Sequence, residues 1–401
     1  MLDAPLAVLG LLLVGGALAT GLAHRSFLSL TAVYVLAGFV LGSGGVGVLE
    51  FDPRSGFVEG LAVVALVVIL FRDGLEAEAE MIQTAWHLPV LKLVLAMPIT
   101  GALVACAAKA LTDLGWTECF LLGALLAPTD PVLSSSVVTN PRVPRLIRHS
   151  LNLESGLNDG LALAAVLAFA TALSSGGDEY VWWEFLLQDI SIGFATGALV
   201  ALAASLLMPR DRQLGHEVSA HQKALYALGV AFAAYGLATL PPEGNGFIAV
   251  FVCAIVLGIR RPDIRQCFES RSEDLIELVK LGVFLVFGAV LSVDALLGDG
   301  LAAVAIVAFT LLVARPVAVF ASLIGTAQVD RYEKAFMAWF GPKGVATMTF
   351  SLFVLGEAIP AGERIFNIAA LAVLFSIVVH GLSDYPGAEW MARRAERAQA
   401  A

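Results

Sequence analysis

The chain has 401 residues, 59% hydrophobic and only 14% charged, with a mean hydropathy of +0.85. No soluble domain carries that composition, so the chain reads as an all-α polytopic membrane protein. A formal charge of -10 excludes a general basic footprint for nucleic acid, and Cys106, Cys119, Cys253 and Cys267 form neither a disulfide framework nor a zinc pattern.

Apolar segments lie at about 6 to 23, 27 to 41, 57 to 71, 89 to 111, 119 to 136, 146 to 173, 183 to 207, 223 to 240, 246 to 259, 275 to 297, 301 to 325, 332 to 355 and 365 to 382. They predict about thirteen transmembrane helices. The first follows Met1-Leu2-Asp3-Ala4-Pro5, which lacks the positive region of a signal peptide, so Leu6 to Ala23 is expected to be retained. Segments 57 to 71 and 246 to 259 are short and are expected to be tilted or partly re-entrant.

Lys and Arg collect in loops after the odd segments, among them Arg25, Arg142, Arg145, Arg148, Arg210, Arg260, Arg331 and Arg393, whereas loops after even segments hold only Arg54 and Arg364. That asymmetry puts the N-terminus outside and the C-terminus in the cytoplasm. Inside the segments lie Lys92, Lys109, Lys280, Arg315 and Lys343. Lys343 is the deepest; Lys92 and Lys109 are expected to snorkel, and Lys280 and Arg315 to reach an interface or a partner acid.

Proline and glycine interrupt two segments at mid-depth: Ala127-Pro128-Thr129-Asp130-Pro131 in the fifth and Gly341-Pro342-Lys343-Gly344 in the twelfth. Proline removes a backbone donor and clashes with the preceding turn, so both helices should break there. Irregular backbone at that depth survives where it lines a cavity, and a broken helix in each half points to a transporter site. The segment numbers differ by seven, so the two helices run in opposite directions. Inverted-topology repeats of six helices are therefore expected over about 1–173 and 223–382 of a single membrane transporter domain.

The sixth segment carries Glu154, Ser155, Asn158 and Asp159. Counted from Arg148 at about 1.5 Å per residue, Asp159 lies roughly 16 Å deep, near the middle of a hydrocarbon core about 30 Å thick. Glu154 and Asn158 share one helical row, and Ser155 and Asp159 the next, giving a single inward polar stripe. Intramembrane carboxylates of this kind mark an ion or proton path. Three carboxylates, Asp130, Glu154 and Asp159, against the one ammonium of Lys343 leave an excess of two negative charges if all ionise, so at least one carboxyl must be protonated, paired or bound to a cation. Competition for one pocket is the chemistry of an exchanger.

The combination Thr129-Asp130-Pro131, Glu154-Ser155-Gly156-Leu157-Asn158-Asp159-Gly160 and Gly341-Pro342-Lys343-Gly344 resembles the NhaP-type sodium/proton antiporters of bacteria and archaea, in the monovalent cation:proton antiporter superfamily. The likeness spans nearly the whole membrane domain. It implies alternating-access exchange of a monovalent cation, sodium foremost with lithium beside it, for protons. Asp159 would be the ion and proton carrier, with Asp130, Thr129 and Ser155 as sodium ligands. Asn158, a further site residue beside them, marks the Asn-Asp branch, similar to electroneutral exchangers. The resemblance pairs Glu154 with Lys343, where arginine is more typical; a buried lysine, unlike arginine, can lose its proton. It also implies a homodimer in a bacterial or archaeal plasma membrane. A core from about 89–173 and 301–382 would move against a dimerisation part from about 1–71 and 223–297. Lipid is the expected surrounding partner, and no cofactor is implied.

Asp73 ends segment three before Glu76, Glu78 and Glu80, which reads as a solvated acidic loop, with a cytoplasmic cation funnel as the other reading. Asp294 and Asp299 take the same solvated reading. Symport of a small organic anion onto Lys343 is the alternative function. An enzyme is not expected: His24, His87, His149, His216, His221 and His380 lie in loops or toward segment ends, none forms HExxH, and no serine has an evident activating base.

Overall fold

In a computed structural model the described residues run from Leu30 to Ala400, with Gly10 and Val14 before them. The stretches 82–86, 131–134, 175–184 and 210–217 and the single residues 243, 327 and 358 are excepted. The expected first helix, Leu6 to Ala23, lies outside them apart from Gly10 and Val14, and so does Pro131. The described elements are all helices, and five are long and apolar enough to cross a membrane.

Numbered in chain order, the helices that frame the molecule are α1 (Leu30–Leu41), α2 (Gly56–Met81), α3 (Leu88–Leu111), α4 (Trp116–Leu126), α5 (Ser135–Thr139), α6 (Arg145–Ser174) and α7 (Gln188–Leu207). They continue with α8 (Ala220–Ala238), α9 (Gly246–Arg260), α10 (Pro262–Arg271), α11 (Glu273–Val290), α12 (Leu301–Ser322), α13 (Arg331–Trp339), α14 (Val345–Gly356) and α15 (Gly362–Ala400). The short segment expected at 57 to 71 is a helix of 26 residues, because the helix runs on through Asp73. Polar side chains mark several starts. Asn245 caps α9 through the backbone N–H groups of Phe247 and Ile248, and Asp330 and Glu333 form a capping box at α13.

Two bundles result. One packs α1 and α2 with α7 to α11; the other packs α3 to α6 with α12 to α15, and α2 joins them by touching both α6 and α14. Within the second bundle α3 and α12 share a distortion. Each contains a π turn, Lys92–Ala96 in one and Thr310–Ala314 in the other, and each has a proline two residues beyond it, Pro98 and Pro316. A proline ring cannot lie against the carbonyl four residues back, here within the π turn, so the ladder widens there. Lys92 opens one π turn and Arg315 follows the other, and both basic side chains are carried into the bundle.

The last helix, α15, ties this bundle from end to end. Near its start Arg364 binds Asp299 and Asp113, so Asp299 is paired rather than solvated. Those bonds hold the Asp113 carboxyl below its usual range. In its last turns Glu389 and Glu396 take Arg142, and Arg394 reaches Asp330 at the cap of α13.

Candidate functional site

The fifth and twelfth segments are broken as their prolines require. Helix α4 stops at Leu126 and α5 begins at Ser135; α13 stops at Trp339 and α14 begins at Val345. The unwound stretches meet. The Asp130 N–H donates to the Pro342 carbonyl at 2.9 Å, and the Val345 N–H donates to Asp130 Oδ2 at 2.8 Å. In return Lys343 Nζ donates to the carbonyls of Ala127 (3.3 Å) and Pro128 (3.0 Å), and Thr347 Oγ1 to that of Leu125. A carboxylate thus meets the positive start of α14 and an ammonium the negative end of α4. The glycines of Gly341-Pro342-Lys343-Gly344 make this possible. A Cβ on Gly344 would collide with the Asp130 carboxylate, and one on Gly341 with the Arg315 guanidinium.

Helix α6 crosses beside the breaks. The Asn158 amide donates to both the carbonyl and Oγ1 of Thr129 at 3.0 Å, fixing the first break to the polar stripe. Asn158 Oδ1 and Asp159 Oδ1 are buried and have no hydrogen-bond partner among the described residues. Ser155 lies one turn before Asp159 and is partly buried. A narrow cavity with room for about one water runs from Thr129 and Asp130 past Leu151 and Phe340.

Asp73 is not in a solvated loop. It is 2% exposed on α2, accepts from Arg72 Nε and Nη2, and its carboxyl reaches that of Asp159. The buried Lys280 of α11 is within electrostatic range of Asp73 and Asp130. Three carboxylates, Asp73, Asp130 and Asp159, therefore stand against the two cations Arg72 and Lys280. With all five charged, the cluster carries one net negative charge, which one monovalent cation or one proton cancels.

Glu154 does not pair with Lys343. It receives Lys92 Nζ on Oε2 at 2.6 Å and Arg315 Nη1 on Oε1 at 3.0 Å. Lys92, expected to snorkel, is fully buried, because the π turn directs it inward to Glu154 and to the Ser150 carbonyl. Arg315 does reach a partner acid, and also the Met337 carbonyl. Lys343 is left to the helix-end carbonyls, whose dipoles take the place of an acid. The balance of three acids against one ammonium is thereby replaced by two local clusters, one around Asp159 and one around Glu154.

Sequence reasoning also misses His380. It is buried, with Nε2 2.9 Å from the Trp339 carbonyl and Nδ1 3.0 Å from Ser376 Oγ. The pattern Ser376 to His380, spaced four residues on one helix face, was the available signal. Among the described residues no three His, Cys, Asp or Glu side chains are arranged to chelate a metal ion.

A sequence profile described as the sodium/hydrogen exchanger, transmembrane, matches residues 9–387. The chain belongs to the sodium/hydrogen exchanger family. Similar members of this exchanger family include the K(+)/H(+) antiporter NhaP of Alkalimonas amylolytica, 28% identical over 96% of this chain and 66% of that protein. Another is the K(+)/H(+) antiporter NhaP2 of Shewanella oneidensis, 25% identical over 90% and 62%. The Na(+)/H(+) antiporter NhaG of Bacillus atrophaeus is 28% identical over 88% and 68%. The chain thus spans less than two thirds of the length of the K(+)/H(+) antiporters it matches, 66% and 62% of these two. Its fold is that of the sodium proton antiporter MjNhaP1 from Methanocaldococcus jannaschii, with a TM-score of 0.79, 20% identity and 97% of each chain covered. The NhaP-type likeness and the all-α polytopic fold are upheld, in a family of membrane transporters.

Proposed function

We propose that this protein is a secondary antiporter that exchanges a monovalent cation for protons by alternating access. Asp159 is the carrier. The observation that carries this reading is its buried, unpartnered carboxylate oxygen, set beside Asp73 and Asp130 where the two breaks meet. A cation there would find oxygens of Asp159 and Asp130, with Thr129 and Ser155 adjacent and Asn158 holding Thr129 in place. When the cation leaves, a proton on Asp159 restores neutrality, so either ion, but not both, occupies the site. That mutual exclusion couples the two fluxes. Asp73 extends the site toward the end of α2 and gathers the cation with Arg72 and Lys280 as counter-charges. Glu154 with Lys92 and Arg315 is structural and holds α3, α6 and α12 together.

Sodium is the first substrate in this reading, with potassium the second, favoured by the names of two of the relatives above. The paired π turns and prolines of α3 and α12 support inverted repeats. The division into two bundles supports a core moving against a dimerisation part, with the chain as a homodimer in a plasma membrane, N-terminus outside. The test is purified protein in liposomes with a pH gradient and an internal pH dye, challenged with sodium, lithium, potassium and choline, with voltage clamped and free. Proton movement driven by an alkali cation but not choline, and indifferent to voltage, is the expected result. Silence toward every alkali cation overturns it.

A further inference from the structure

The unwound stretch Phe340–Gly344 has to keep its shape for the site to exist, since Pro342 and Val345 hold Asp130. What holds the stretch is on α15. The Lys343 N–H donates to Ser376 Oγ at 2.7 Å, and Ser376 Oγ lies 3.0 Å from His380 Nδ1. The other ring nitrogen faces the Trp339 carbonyl, which can only accept, so Nε2 carries a hydrogen and donates. The two side chains therefore grip both ends of the break, the last carbonyl of α13 and an N–H just before α14. One turn further on, Asp384 accepts from the N–H groups of Ser136 and Val137 at 3.0 and 3.2 Å, where the first broken helix restarts as α5.

We propose that His380, through Ser376, is a positioning residue of the exchange site, holding the second break in the shape that orients Asp130 toward the transported cation, while Asp384 holds the first break. The Nε2–H to Trp339 bond is present whether the ring is neutral or charged, and Nδ1 finds a partner in both states, the Ser376 hydroxyl or the Ser376 carbonyl. The grip is therefore independent of pH. The charged groups facing the ring are Lys343 and Arg315, both of which keep their own acceptors.

This inference rests on the antiport reading, and the test separates the two. Wild type, H380L, H380Q and S376A are reconstituted in liposomes, and exchange is measured against cation concentration at pH 6.5, 7.5 and 8.5. Leucine removes the donor to Trp339, whereas glutamine restores one at the Nε2 position. H380L is expected to raise the apparent KM for the alkali cation about tenfold, the effect of one buried hydrogen bond. The same factor is expected at all three pH values, with a smaller rise for S376A and recovery toward the wild-type KM in H380Q. A wild-type KM in both H380L and S376A, with lowered melting temperature alone, overturns the positioning role. If wild type itself exchanges no alkali cation, the antiport reading has failed instead.

Discussion

Glu154 and Arg315 form a buried ion pair at 3.0 Å, joining α6 to α12, and the second oxygen of the same carboxylate holds Lys92 of α3. Removing the shared acid is the worst case, because two buried cations are then left facing each other. E154Q is expected to cost roughly 3–5 kcal/mol, and R315M or K92M less, since each leaves one pair intact. The measurement is thermal unfolding in detergent. A fall of at least about 5 °C for E154Q, larger than for either other variant, is expected; a K343M fall equal to that of E154Q would place the missing partner back on Lys343.

Asp159→Asn keeps the shape of the side chain and removes its charge. Exchange should vanish in the liposome assay while the protein elutes and melts as wild type. Retained cation-driven proton flux would take the carrier role away from this residue.

The two glycines of the second break should fail differently. G344A drives a methyl group against Asp130 and should raise the apparent KM by about tenfold or more, with one to three kcal/mol of overpacking strain. G341A drives its methyl group into Arg315, away from Asp130, and should fall mainly in melting temperature. Equal KM effects from the two would show that the second break responds as one unit rather than through separate contacts to Arg315 and Asp130.

At the corner between α9 and α10, the Arg261 guanidinium holds the Asp263 carboxyl down to about 2, with Lys223 assisting. A depressed carboxyl adds stability above its unfolded pKa of about 4, and that stability is lost as pH falls through about 2. The side chain is more than a third exposed, so solvent screening reduces the contribution to about 1 kcal/mol. D263N should be destabilised by that amount at pH 7, with the difference from wild type closing between about pH 4 and pH 2. A difference constant across that range would assign the loss to packing.

The parts of the site made by local chemistry are legible in the sequence. Proline and glycine announce both breaks, and helical spacing places Asn158 and Asp159 on one stripe. Pairings between distant helices are not. Glu154 finds Arg315 161 positions away, and only the π turns bring Lys92 and Arg315 inward. The run Glu76, Glu78 and Glu80 reads as loop, whereas α2 continues through it, and this hides the burial of Asp73. Histidine is misjudged for a related reason. His380 sits toward the end of its apolar segment, but α15 extends well beyond that segment, so its position relative to the break could not be read from hydropathy.

Helix α15 behaves mechanically as a shaft. It is pinned at one end by Arg364, gripped midway by Ser376, His380 and Asp384, and geared at the other end to Arg142 and Asp330. One helix thus carries the supports of both broken helices, Ser376 and His380 for the second and Asp384 for the first.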